Sequence, residues 1–200
     1  MNQFASFLAR VQSDLEEQDS PWCLIGGLAV GVRTEPRFTR DLDFAVVCPN
    51  DVDSETFIFR LVGKGYGVVA VLEQNATGRL ATVRMTLPET DEPVVADFLF
   101  ASSGAEAEIV TASELVEIVP GLRLPVACIG DLVAMKVLAR DDRLRPQDRL
   151  DLNALLARAR EQDLNRARFT LRRIESLGAN RGRPLLEELD QVIVEFSPRS

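Results

Sequence analysis

Gly26-Gly27 and, ten positions on, Arg37-Phe38-Thr39-Arg40-Asp41-Leu42-Asp43-Phe44-Ala45-Val46-Val47 decide how this chain reads. Asp41 and Asp43 open an apolar, β-favouring run. Residues two apart in a strand point to the same face, so the two carboxylates project side by side, about 6–7 Å apart at their Cα atoms. Adjacent carboxylates repel unless a cation neutralises them. A hard divalent ion such as Mg²⁺, which takes one or two protein carboxylates together with substrate phosphates, is the natural cation. The plainer alternative is a solvated Asp-x-Asp at a strand entrance. Upstream, Trp22-Cys23-Leu24-Ile25 is short and apolar enough for a buried strand, and residues 28–33 suggest a short helix. Strand, glycine pair, helix is an arrangement that brings backbone N–H groups close to phosphate; a simple turn is the competing reading.

Working outward, residues 2–17 carry Phe4, Phe7, Leu8, Val11 and Leu15 at helical spacing. A second helix is expected to open at Ser54-Glu55-Thr56 and end at Gly63. Gly63-Lys64-Gly65-Tyr66-Gly67 lacks the spacing, and the Ser/Thr after lysine, of a phosphate loop, and reads as a helix end leading into a strand. Strands are expected over 68–72, 80–87 and 94–100, with turns at 75–78 and 88–93. The third of these, Val94-Val95-Ala96-Asp97-Phe98-Leu99-Phe100, sets one aspartate in an apolar strand, which is costly unless the charge is paired or metal-bound. Asp97 is either an edge residue, a partner of a neighbouring arginine, or a third metal ligand. The last is favoured because Asp41 and Asp43 already need a cation. If its strand lies beside theirs, three carboxylates converge, and such a triad can hold the two ions of a phosphoryl- or nucleotidyl-transfer site.

Residues 111–127 read as a connection with one extended piece at 115–119 and a turn at Pro120-Gly121. Helices are expected over 129–140, from Pro146 onward, over 163–177 and over 184–196. Lys136, one of two lysines in the chain, falls on the stripe Ile129, Leu132, Val133, Lys136. It either snorkels to solvent or meets an anion in the interior. Asp148 lies one turn before Leu152 on the same face. It can pair with Lys136, the favoured role, or act as a base on an acceptor.

Composition narrows the chemistry. Two hundred residues, 46 % of them hydrophobic, suffice for a real core. With no histidine, Ser-His-Asp, Cys-His and histidine–zinc chemistry are excluded. Cys23, Cys48 and Cys128 are odd in number and widely spaced, which points away from a disulfide framework or a zinc site and toward a reduced cytoplasmic protein. No apolar run reaches the roughly 18 residues of a membrane span, and the first ten residues do not suggest a signal peptide. The net charge of −8 is uneven: residues 140–183 hold twelve arginines against seven acids. That segment either meets something anionic or forms solvated helix faces, with Glu161, Asp163 and Glu175 pairing the arginines.

The combination Gly26-Gly27, Ala29, Arg37-x-Thr39-x-Asp41-x-Asp43 resembles the nucleotidyltransferase signature of the DNA polymerase beta superfamily, and more closely its AbiEii-type branch, many of whose members are toxins of type IV toxin–antitoxin systems. The wider superfamily usually has Gly-Ser at the turn; Gly26-Gly27 suits the toxin-like branch. The resemblance covers about residues 21–156 and implies a set of roles. Asp41, Asp43 and Asp97 would hold Mg²⁺, and Gly26 and Gly27 the phosphates of an NTP. Arg37 and Thr39 would orient Asp41 or touch phosphate. Lys136, followed by Arg143, Asp148 and Asp151, would contact the triphosphate or the catalytic carboxylates. The expected fold is α/β (α+β), a small mixed sheet with flanking helices: a nucleotidyltransferase core over 1–127 and a C-terminal helical region over 128–200. The expected activity is Mg²⁺-dependent transfer of NMP from an NTP to RNA such as tRNA, with a cognate antitoxin as partner and no membrane. A small-molecule acceptor of the antibiotic kind and a silent partner-binding protein are the alternatives.

Overall fold

The Asp-x-Asp segment forms the central strand of a mixed sheet. The structure is a computed structural model and describes residues 3–36, 41–75, 77–87, 94–141 and 146–196. Its strands are β1 (Trp22–Ile25), β2 (Asp41–Val46), β3 (Gly67–Glu73), β4 (Leu80–Thr86), β5 (Val95–Leu99), β6 (Glu114–Val119) and β7 (Leu122–Val126), in the spatial order β3-β4-β5-β2-β1-β7-β6 among the described residues. β2 runs antiparallel to β1 and parallel to β5.

Alternation along the central strands separates core from site. Leu42 and Phe44 of β2 and Ala96 and Phe98 of β5 are buried on one face. There Phe44 stacks on Phe98 at 5.6 Å, and Trp22 and Phe57 meet them edge-on. Asp41, Asp43 and Asp97 take the other face by the same period. One buried cluster runs from Leu8 of helix α1 (Gln3–Glu16) through the sheet to Val192 of helix α8 (Leu185–Phe196).

The other helices are α2 (Gly26–Arg33), α3 (Asp51–Gly63), α4 (Glu106–Thr111), α5 (Ile129–Ala139), α6 (Pro146–Leu156) and α7 (Glu161–Ser176). Three expectations are corrected. Helix α3 starts at Asp51 rather than at Ser54, because Asn50 accepts a hydrogen bond from the Asp53 N–H and caps it. Helix α4 was not foreseen; its first turn is held by buried Glu106, which accepts from the Ser103 N–H and hydroxyl. Residues 111–127 are not a connection with one extended piece but a hairpin built into the sheet. β7 pairs antiparallel with β6 and parallel with β1, the latter at Leu24 and Val126 alone. That short pairing tolerates Pro125, which removes a ladder donor and hides the strand in the sequence.

Candidate active site

The end of β1, the start of β2, the middle of β5 and one side of α5 enclose a cavity of about 430 Å³ whose wall includes Gly26, Gly27, Asp41, Asp43, Arg84, Asp97, Lys136 and Asp148. A larger hollow of about 690 Å³ on α8 is lined, among the described residues, by Glu187, Asp190, Gln191, Val194 and Glu195, all from one helix.

Sheet register places the acids. Asp43 stands opposite Ile25 of β1 on one side and opposite Asp97 of β5 on the other, while Asp41 stands opposite Val95. Asp43 and Asp97 therefore share a face on strands about 4.8 Å apart, with Asp41 two residues along the same face. Gly26 makes this possible. It has φ +66°, and a Cβ there would come within 1.9 Å of Asp43 Oδ2. Only glycine allows both the left-handed backbone and the close approach. The Gly27 N–H lies on the side of the Asp43 carboxylate and opposes the rise in its pKa. Burial, then the neighbouring Asp97 charge, push the Asp43 carboxyl up to about 6 against the opposing pull of Lys136.

Asp97 is buried and held by a residue outside the expected set. Arg84 of β4 is its direct cross-strand partner. The guanidinium donates from Nε to Oδ1 at 2.8 Å and from Nη2 to Oδ2 at 2.6 Å. The alternative of a neighbouring arginine is thus realised, and Asp97 nevertheless sits beside Asp43. The bond to Asp97 raises the Arg84 pKa further. Across the cavity, Lys136 donates to Asp148 Oδ1 at 2.6 Å and lies 2.8 Å from Asp151 Oδ2. Asp148 Oδ2 is buried without a hydrogen-bond partner among the described residues.

The structure brings together Gly26, Gly27, Asp41, Asp43, Asp97 and Lys136; Arg37, Thr39 and Arg143 lie outside the described residues. Among those described, no three His, Cys, Asp or Glu side chains stand close enough to hold an ion as placed. The chemistry of the donor set still suits one. Hard carboxylate oxygens share one face of one cavity, and the proton affinity of Asp43 is raised where a cation would relieve it.

No curated protein matches the sequence. Eight chains of solved structures align with it, three of which follow. An H. pylori protein described as a nucleotidyltransferase shares 16 % identity over 97 % of this chain and 93 % of its own, with TM-score 0.45. The lincosamide antibiotic adenylyltransferase LnuA, bound to lincomycin, shares 14 % over 76 % and 96 %, with TM-score 0.48. The antibiotic-resistance factor ANT(2'')-Ia shares 18 % over 98 % and 92 %, with TM-score 0.46. Residues 6–198 match the family model described as "Nucleotidyl transferase AbiEii toxin, Type IV TA system". The match spans nearly the whole chain: the protein belongs to the AbiEii nucleotidyltransferase toxin family and is a transferase.

Proposed function

We propose that the cavity transfers NMP from an NTP to an RNA acceptor such as the end of a tRNA, with Mg²⁺ held by Asp41, Asp43 and Asp97. The observation that carries this reading is the adjacency of Asp43 and Asp97 in parallel register, with Asp41 on the same face. When bound, Mg²⁺ would polarise the α-phosphate and activate the acceptor hydroxyl. The chain supplies the rest. Gly26 admits the Asp43 carboxylate to the turn, and the Gly27 N–H favours its charged form. Lys136, anchored by Asp148 and Asp151, places a cation on the wall opposite the sheet, where it can offset triphosphate charge. Asp148, whose second oxygen is buried and has no hydrogen-bond partner among the described residues, holds Lys136 in place. Arg37 and Thr39 keep their proposed role at Asp41 or phosphate. As a toxin, the protein would arrest growth through this transfer and be held in check by a cognate antitoxin. Among the described residues no helix is long and apolar enough to cross a membrane.

A small-molecule acceptor is the second reading, favoured by the engagement of the C-terminal arginines with the chain's own acids. Arg166 bonds Asp131, Arg168 bonds Asp190 and Arg173 bonds Glu108. Two of the expected partners do other work: Asp163 accepts from the Arg160 N–H, and Glu175 from the Leu185 N–H. Incubation with each labelled NTP, Mg²⁺ and total RNA tests the reading. Labelled RNA made by the wild type and absent with Asp43→Asn supports it. Label that needs the enzyme but never enters RNA moves the acceptor to a small molecule.

A further inference from the structure

Arg84 sits where a cation and a guanidinium would compete for one carboxylate. Across the sheet, Asp43, Asp97 and Arg84 form a row, each the register partner of the next. Asp97 is approached from the β2 side by the Asp43 face and from the β4 side by Arg84, whose planar fork covers both of its oxygens. With both oxygens engaged, Asp97 offers little to a hard ion, in keeping with the absence of a converged acidic triad among the described residues. The arginine can leave at modest cost. Its side chain is 44 % exposed while that of Asp97 is 13 % exposed. The buried face of β4 consists of Ala81, Val83 and Met85, which do not depend on Arg84. Its partner on the far side is the small Ala70 of β3, which leaves room for the guanidinium to swing outward.

We propose that Arg84 is a positioning residue that latches Asp97 in the metal-free protein, so that a divalent cation completes its site only by displacing the guanidinium fork. The displaced Arg84 is then free to meet the triphosphate that enters with the ion. The latch limits metal binding in the absence of nucleotide. It rests on the reading of the acids as metal ligands.

The test is Mn²⁺ titration of the metal-free protein without nucleotide, followed by the loss of the free-Mn²⁺ paramagnetic resonance signal, for the wild type, Arg84→Gln, Arg84→Lys and Asp43→Asn, each checked for a cooperative thermal melt. Arg84→Gln should raise Mn²⁺ affinity about tenfold, the order expected for the loss of a charge-assisted fork. Arg84→Lys is the decisive variant. It keeps the positive charge but cannot span both oxygens, so the latch requires a severalfold gain here too, whereas simple charge repulsion predicts none. Equal affinity in the wild type and Arg84→Lys, or no gain in Arg84→Gln, overturns the latch. If those two variants show no gain but Asp43→Asn still weakens Mn²⁺, the metal reading stands without the latch. If no protein binds Mn²⁺ saturably, or Asp43→Asn binds as the wild type does, the metal reading fails and takes the latch with it.

Discussion

Asp131 and Asp148 are buried acids at opposite ends of the α5 neighbourhood, and they are satisfied to different degrees. Asp131, fully buried in the first turn of α5, accepts from Arg166 Nε at 2.9 Å and the Thr170 hydroxyl at 2.6 Å through Oδ1, and from Cys128 Sγ through Oδ2. Arg166 also donates to the Glu108 carbonyl, so this one carboxylate ties α4, α5 and α7 together. Gly130 beside it lets α7 approach so closely that a Cβ would meet the Asp163 carbonyl at 2.4 Å. Asp148 shares Lys136 with Asp151, and its other oxygen is buried with no hydrogen-bond partner among the described residues. A saturated buried acid holds the fold together. A buried acid on the cavity wall whose second oxygen has no partner among the described residues has bonding capacity left over.

The largest expected effect falls on the saturated acid. Asp131→Ala strands the Thr170 hydroxyl in the interior and releases Arg166, and should cost about 3 kcal/mol of stability. Asp148→Asn, which leaves Lys136 a second carboxylate, should cost clearly less. Urea unfolding of both variants measures the contrast; equal losses would erase the distinction between the two acids.

Next comes Asp43→Asn, which should abolish transfer and leave the fold intact. Its stability profile is as informative as its activity. The folded Asp43 carboxyl is raised from 3.8 to about 6, chiefly by burial. Between these values the folded chain binds a proton that the unfolded chain has released, so the contribution of Asp43 to metal-free stability is greatest below pH about 4 and falls as pH rises to about 6. Asp43→Asn should flatten that fall and match or exceed the wild type at neutral pH. Denaturation of both proteins across pH 4–7 without metal checks it, and a wild type that does not lose stability relative to Asp43→Asn over that range would contradict the placement of Asp43.

Lys136→Met is a smaller perturbation of the same wall. It leaves Asp148 and Asp151 without their shared cation, so stability should fall, and Asp148→Asn in the same chain should restore part of the loss. Independent, additive losses in the double variant would mean that the pair is not coupled. Unchanged NTP affinity in a folded Lys136→Met protein would remove the lysine from the nucleotide site.

What was legible in the sequence follows from the range of the forces involved. Asp41 and Asp43 needed only the period of a strand, and Lys136 only that of a helix. The convergence of Asp97 needed one further assumption, that two apolar strands lie side by side, and the structure has them in parallel register. Arg84 was missed although a signal for it existed. Residues 88–93 were read as a turn, and Leu87 and Val94 flank it; counting three residues back and three forward reaches Arg84 and Asp97, the observed pair. The Asp131 node could not be found this way. Arg166 and Thr170 lie more than thirty residues further on, and only the packing of α7 on α5 brings them to it. The β6–β7 hairpin was obscured by Pro125, whose meaning depends on how little of β7 is paired with β1.

The same contrast between saturated and open groups extends to the cations and sets the smallest expected effect. Arg166 and Arg173 face α4 and Arg168 faces α8, so the arginines of α7 are divided between two neighbours and do not form one basic face. Reversing Arg168 or Arg173 to Glu would place like charges against Asp190 or Glu108, and any loss of RNA modification would be mixed with a loss of stability. Arg172 is exposed and offers a cleaner probe. If RNA is the acceptor and passes over α7, Arg172→Glu should weaken RNA binding by about threefold and lower the slope of log affinity against log salt by about one, the value for one phosphate contact. NTP binding should not change, since the cavity is formed by β1, α2, β2, β4, β5, α5 and α6. The measurement is RNA affinity of both proteins across a salt series. Identical slopes would place Arg172 with the structural cations of α7, and a flat salt response in the wild type itself would favour the small-molecule acceptor.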